Sequence, residues 1–149
     1  MIIYTNGNLL DDPAEALVNT VNCVGVMGKG IALAFKGAFP ENYRLYKAAC
    51  ESGAIKPGGV FSTDSGTLFE RKYILNVATK DHWRDPSRME WIVSGAEAIR
   101  DRCERLGIGN AAVPALGCSN GGLSWAAVRP VLEKAFADSP ITFRLYAPH

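Results

Sequence analysis

The sequence has 149 residues, 48% hydrophobic and 21% charged, with 16 Lys+Arg against 15 Asp+Glu. That length suits one domain spanning residues 1–149, able to bury a core without metal or disulfide staples. A net charge of +1 argues against a chain that grips long nucleic acid by phosphate neutralisation alone, and no apolar run approaches the roughly 18 residues of a membrane helix.

The chain opens on the strand-like Met1–Thr5 without a basic leader, so no signal peptide is expected. Ala16–Val21, Gly59–Thr63, Tyr73–Ala78, Ala111–Ala115 and Ile141–Tyr146 also read as strands. Helices are expected over Gly30–Ala38, with Ile31, Ala34, Phe35 and Ala38 on one face, and over Glu41–Ser52, between Pro40 and Gly53. The longest should run from Ser87 to Leu106, with Met89, Ile92, Val93, Ala96 and Ile99 as its buried stripe. Asp85-Pro86-Ser87 marks its start and Gly107 its end. A last helix spans Ser124 to Ala137, where Pro130 should kink it or mark its first turn. Ile74–Ala78 and Ala111–Ala115 are apolar without alternation, which implies burial on both faces. Strand–helix alternation with such strands predicts a three-layer α/β/α fold around a mixed, mainly parallel sheet. The four cysteines, Cys23, Cys50, Cys103 and Cys118, form no C-x-x-C pair. They suit a reducing cytoplasm and point to no metal site.

Two glycine-rich loops each lie between an apolar strand and a helix. The first is Gly25-Val26-Met27-Gly28-Lys29-Gly30, the second Gly117-Cys118-Ser119-Asn120-Gly121-Gly122-Leu123. Glycines let backbone approach a ligand, and a helix N-terminus offers free N–H groups to an anion. Two such loops at strand carboxyl ends fit a diphosphate held from both sides, between Gly30 and Ser119; glycines also make plain tight turns. A bulky acidic replacement at Gly121 is expected to overlap and repel a bound phosphate. Neither loop is a G-x-G-x-x-G or Walker fingerprint, which disfavours an ordinary dehydrogenase or kinase. Asn19 and Asn22 sit at the end of the strand feeding the first loop, where carboxamides either bind ribose hydroxyls or lock the backbone. Lys80 follows a buried strand; it is either a solvated lysine beside Asp81 or a desolvated amine able to attack a sugar carbon. His82 is a proton-carrier candidate. Cys23 and Cys118 are expected to flank the cleft as small buried residues rather than nucleophiles.

Gly7-Asn8-Leu9, Val18-Asn19-Thr20-Val21-Asn22, Met27-Gly28-Lys29-Gly30-Ile31-Ala32 and Pro114-Ala115-Leu116-Gly117-Cys118 together resemble the macrodomain family of ADP-ribose-binding modules. The likeness runs over nearly the whole chain. With Phe35-Lys36, Thr79-Lys80 and Gly121-Gly122-Leu123, it is similar to the lysine-dependent glycohydrolase subgroup, and within it to the bacterial DNA ADP-ribosyl glycohydrolase antitoxins. The resemblance implies that Asn8 and Leu9 hold adenine and that Thr20, Val21 and Asn22 line the ribose pocket. It implies a first phosphate loop of Met27, Gly28, Lys29, Gly30, Ile31, Ala32 and Leu33. Gly117, Cys118, Ser119, Asn120, Gly121, Gly122 and Leu123 form the second, with Thr79 beside the catalytic Lys80. Many relatives carry Asp at Asn8 or Ser124, and lysine-dependent eukaryotic ones carry Asp at Gly121. The implied activity is removal of ADP-ribose from thymine in single-stranded DNA, reversing a DNA ADP-ribosyltransferase toxin. It needs no cofactor, metal or membrane. The alternatives are a non-catalytic ADP-ribose reader and a hydrolase of ADP-ribosylated acidic side chains. The antitoxins it resembles carry a further C-terminal region, so toxin binding by this chain alone is not expected.

Overall fold

The apolar runs assemble into one six-stranded sheet in a computed structural model that describes residues 1–148; His149 lies outside the described residues. The strands are β1 (Ile2–Thr5), β2 (Ala16–Val21), β3 (Val60–Asp64), β4 (Tyr73–Ala78), β5 (Asn110–Val113) and β6 (Thr142–Tyr146). Their order across the sheet is β1-β6-β5-β2-β4-β3, all parallel except the antiparallel β3–β4 pair. The carboxyl ends of five strands therefore lie along one edge, where a parallel α/β sheet places its ligands.

Alternate residues feed the two faces. Val18, Leu75 and Val77 pack with α3 (Met89–Leu106) and α4 (Trp125–Phe136) in the largest core cluster. Leu17 and Ile74 face α1 (Gly30–Ala38), and Val21 and Ala78 face α2 (Pro40–Glu51). The three expected layers are thus present. Gly95 lets α3 sit close on the sheet, since a Cβ there would come within 2.7 Å of Val77 Cγ2.

Several local expectations shift. The buried stripe of α3 is Ile92, Gly95, Ala96, Ile99 and Cys103, while Val93 is 41% exposed. That helix starts at Met89 rather than Ser87, because Ser87 is committed to the second glycine-rich loop. β5 stops at Val113, so Pro114 and Ala115 leave the sheet to line the cleft. Pro130 lies inside α4, which begins at Trp125 with Ser124 as its cap, the hydroxyl accepting from Ala127 N–H at 3.2 Å. Of the expected α1 face, only Phe35 is buried. One buried phenylalanine stabilises by about 1.5–3 kcal/mol, so the helix fed by the first loop is lightly anchored.

Asn19 is not a strand-end residue. It is fully buried mid-strand, in register with Asn76, and donates to Asn76 Oδ1 at 3.1 Å. Asn42 of α2 donates to the same oxygen at 3.1 Å and accepts from Thr63 at 2.6 Å. This buried network fastens α2 to the sheet, since such amides are costly to bury unpaired, and it leaves Asn19 Oδ1 without a protein partner.

Candidate functional site

A cleft of about 900 Å³ runs across the carboxyl ends of β6, β5, β2 and β4. One end is built by Asn8, Leu9, Leu10, Tyr146 and Pro148, the other by Thr79, Lys80 and Trp83. Between them the two glycine-rich loops face each other, from Gly28–Ala32 on one side and Gly117–Gly121 on the other. They approach closely: a Cβ on Gly30, whose φ is +55°, would lie 3.1 Å from Asn120 Nδ2. Gly30 begins α1 with no side-chain cap, so its first-turn N–H groups are free to meet an anion.

Asn22 shapes the first loop. Its Nδ2 donates to Val26 O at 2.8 Å, and its Oδ1 accepts from Val24 N–H at 3.1 Å, Val26 N–H at 3.3 Å and Tyr46 O–H at 2.9 Å. Of the two uses open to this carboxamide, the structure displays backbone locking. The second loop closes on itself through Leu123 N–H to Gly117 O at 2.9 Å and is pinned from below by Ser87 N–H to Gly121 O at 3.0 Å. Beneath Gly121 the Ser87 hydroxyl is buried with no protein partner.

Lys80 stands at the mouth of β4, its Nζ donating to Trp83 O at 3.1 Å. Burial lowers its pKa from the ordinary lysine value and nearby Lys29 adds to the fall, while Asp85 opposes it. A depressed amine is more often neutral, and so nucleophilic, near neutral pH. Its loop is tied to the first one by Cys23 N–H to Asp81 O at 3.0 Å. The thiols are poor competitors: burial raises Cys118, and burial with Asp81 raises Cys23 to about 11. His82 packs its ring on Trp83 and accepts from Arg84 N–H at 3.3 Å rather than lining the cleft.

At the Asn8 end, Asn8 Oδ1 accepts from Leu10 N–H at 3.1 Å and caps the short 3-10 turn Leu9–Asp11, an element the sequence patterns do not reveal. Behind it, buried Asp12 accepts from Arg144 Nε at 2.7 Å, Tyr146 O–H at 2.7 Å and Ala14 N–H at 2.9 Å. Desolvation raises this carboxyl's pKa, but the hydrogen bonds from Arg144, Tyr146 and Ala14 outweigh it and hold it below the usual value.

The Macro domain family model matches residues 18–132, the span that carries both loops and Lys80. The chain belongs to the macrodomain family. It is 50% identical over 135 residues to the DNA ADP-ribosyl glycohydrolase of Thermus aquaticus, covering 91% of this chain and 38% of that protein. The chain thus spans about two fifths of the length of such relatives. Among solved structures, the macrodomain of Mycobacterium tuberculosis DarG superposes with a TM-score of 0.96 at 45% identity, covering 100% of this chain and 99% of that one. Thermosipho africanus DarTG in complex with ADP-ribose superposes with a TM-score of 0.93 at 30% identity, covering 99% of this chain and 41% of that one.

Within this macrodomain, most residues singled out from sequence converge on one cleft. Asn8, Leu9, Thr20, Val21, Asn22, Gly28, Lys29, Gly30, Ile31, Ala32, Thr79, Lys80, Gly117, Cys118, Ser119, Asn120 and Gly121 all line it. Four of the expected ADP-ribose-binding residues lie outside its lining, as does Cys23, which is half-buried rather than buried. Met27 is buried in the core beside α2, with its sulfur 3.9 Å from Asn19 Nδ2. Leu33 is 51% exposed on the outer side of α1. Gly122 and Leu123 complete the turn behind the loop, Leu123 packing on the main core. Trp83, Tyr146 and Pro148 line the cleft without having been singled out as site residues; the sequence offers only a tryptophan three residues beyond Lys80.

Proposed function

We propose that this macrodomain hydrolyses the bond between ADP-ribose and thymine in single-stranded DNA, reversing a DNA ADP-ribosyltransferase toxin in the cytoplasm. The observation that carries the reading is a lysine of depressed pKa at the end of a cleft flanked by two opposed glycine-rich loops. The names of similar relatives support it, and four cysteines without disulfides fit the cytoplasmic setting. The diphosphate lies between the loops, adenine toward Asn8 and Leu9, and the distal ribose toward Lys80.

One water is consumed overall: the C1–thymine bond breaks, hydroxyl goes to C1 and a proton to the base. As a nucleophile, neutral Nζ bonds to C1 while the glycosidic electron pair leaves with the base, which takes the amine's proton. Water then adds to C1 and frees the amine. As a cation, Lys80 instead stabilises the departing base by charge alone. Lys80→Ala is expected to retain ADP-ribose binding within a few-fold while release from a modified oligonucleotide falls about 10²–10⁴-fold. Lys80→Arg should be nearly as damaging if the amine reacts, since guanidinium stays protonated; retained activity assigns it the cationic role. Full activity in Lys80→Ala overturns the assignment.

A second reading, a non-catalytic ADP-ribose reader, draws on the absence of Asp or Glu among the described residues lining the cleft. It expects wild-type protein to bind ADP-ribose and release nothing. Comparing the oligonucleotide with a protein ADP-ribosylated on acidic side chains separates nucleic-acid from ester substrates.

A further inference from the structure

The geometry points to Trp83 as a stacking shelf for the nucleobase from which ADP-ribose is released, a role that rests on the function proposed above. Two aromatic side chains line the cleft among the described residues, and they stand at opposite ends of it. Tyr146 ends β6 and is tethered through its hydroxyl to Asp12. Trp83 follows β4, three strands away. At a spacing of about 4.8 Å per strand, the ends lie roughly 14 Å apart, so a ligand with an aromatic group at each end can meet a ring at both.

Chemistry fixes which group belongs at Trp83. The reacting amine must reach the sugar carbon that bears the base, so the base lies within a few bonds of Nζ. Lys80 Nζ donates to the backbone carbonyl of Trp83 at 3.1 Å, which puts amine and indole on one short turn. That turn is hydrogen-bonded at both ends. Asp81 O accepts from Cys23 N–H at 3.0 Å, and His82 Nδ1 accepts from Arg84 N–H at 3.3 Å. The His82 ring props the indole, with centroids 5.2 Å apart and planes at 40°. Trp83 nevertheless remains 50% exposed: a large apolar ring, held in place beside a cleft, with a face left to water.

Charge on the same turn explains why stacking rather than phosphate contact dominates. Lys80, Arg84 and Arg88 are interleaved with Asp81 and Asp85, so the segment exerts little net pull on a DNA backbone. Every base offers a π face, and stacking tolerates sequence.

The test compares wild type, Trp83→Ala and Trp83→Phe on a single-stranded oligonucleotide ADP-ribosylated on thymine, with free ADP-ribose binding measured by calorimetry. Base–aromatic stacking corresponds to about a 5- to 160-fold effect. Trp83→Ala should lose that much kcat/KM on the oligonucleotide, Trp83→Phe less, while ADP-ribose affinity stays within about twofold. Should Trp83→Ala fold poorly, the Trp91→Phe/Trp125→Phe background reports directly. Its remaining indole emission should quench with modified oligonucleotide beyond the quench from ADP-ribose alone. Unchanged kcat/KM in Trp83→Ala, equal losses of oligonucleotide turnover and ADP-ribose affinity, or no extra quench overturns the shelf and leaves the proposed activity standing. Wild type that releases nothing from the oligonucleotide overturns both.

Discussion

A single methyl group at Gly121 tests whether the cleft depends on the shape of its second loop. An ideal Cβ there runs into Gly117 O and Ser87 Oγ and comes within 2.8 Å of the Gly117 carbonyl carbon. Two of those three atoms are backbone, so no rotamer change clears the space. The turn closed by Leu123 N–H on Gly117 O at 2.9 Å must open. Overpacking costs about 1–3 kcal/mol, and the hydrogen bond given up adds about 0.5–1.5, so Gly121→Ala should cost roughly 1.5–4.5 kcal/mol. If the fold bears this, Tm falls by roughly 3–18 °C for a domain of this length. If the loop yields instead, ADP-ribose affinity falls by about ten- to a thousandfold. Thermal melting and calorimetry read both. Ser87→Ala/Gly121→Ala should recover only part of the loss, because the Gly117 carbonyl remains in the way. Tm within about 1 °C and affinity within about twofold of wild type would refute the argument. The same geometry revises the expectation for Gly121→Glu. The new side chain starts toward Ser87 and the loop's own backbone, so it acts first by breaking the loop rather than by repelling phosphate.

Asn22→Ala removes three hydrogen bonds to the Val24–Val26 backbone and one from the Tyr46 hydroxyl of α2; ADP-ribose affinity should fall about 10- to 100-fold, and hydrogen exchange should show the Val24 and Val26 amides losing protection. Unchanged protection would show that other contacts hold the loop. Asp85→Asn removes the charge that opposes the lowering of the Lys80 pKa, so the acid limb of the kcat–pH profile should move to lower pH; a shift the other way contradicts a neutral reacting amine. Asp12 has a depressed carboxyl pKa in the folded state. Its contribution is therefore present above the unfolded value of about 3.9 and lost as pH falls through the folded one. Asp12→Asn should cost about 1–3 kcal/mol at pH 7 and flatten the acid limb of the Tm–pH curve, and a parallel, undiminished acid limb would count against it.

The layer order and the cleft's position were legible because parallel strands buried on both faces, as at Ile74–Ala78, leave few arrangements and one edge for ligands. Both loops were legible for the same reason: Gly28, Gly30, Gly117 and Gly121 stand where strand gives way to helix. What escaped was direction. A loop window such as Met27–Leu33 shows which residues are near a ligand, but not which side chains turn inward to the core, as Met27 does, or outward to water, as Leu33 does. A strand-end asparagine and a buried mid-strand one such as Asn19 look alike in sequence until Asn42, Thr63 and Asn76 are brought to it from elsewhere in the chain. The 3-10 turn at Leu9–Asp11 is too short to show any period. Trp83 is not legible because an aromatic in a loop carries no spacing signal; its meaning comes from the Lys80 amine resting on its carbonyl.

On the proposed reading, the cleft must solve one electrostatic conflict. A diphosphate carries negative charge, and negative charge near an amine favours its protonated form, which is the unreactive one. In the free protein Lys80 is pushed toward neutrality by burial and by Lys29. Bound phosphate would undo this unless its charge were met locally. The free N–H groups at the start of α1, those of Ser119, Asn120 and Gly121 in the second loop and the Lys29 ammonium are placed to meet it. Each unit of phosphate charge matched there is one that no longer acts on Lys80. The first loop then has two tasks, holding the diphosphate and insulating the amine from it. A chain with net charge +1 can accomplish both because the positive potential is gathered at the loops, in backbone dipoles that formal charge does not count.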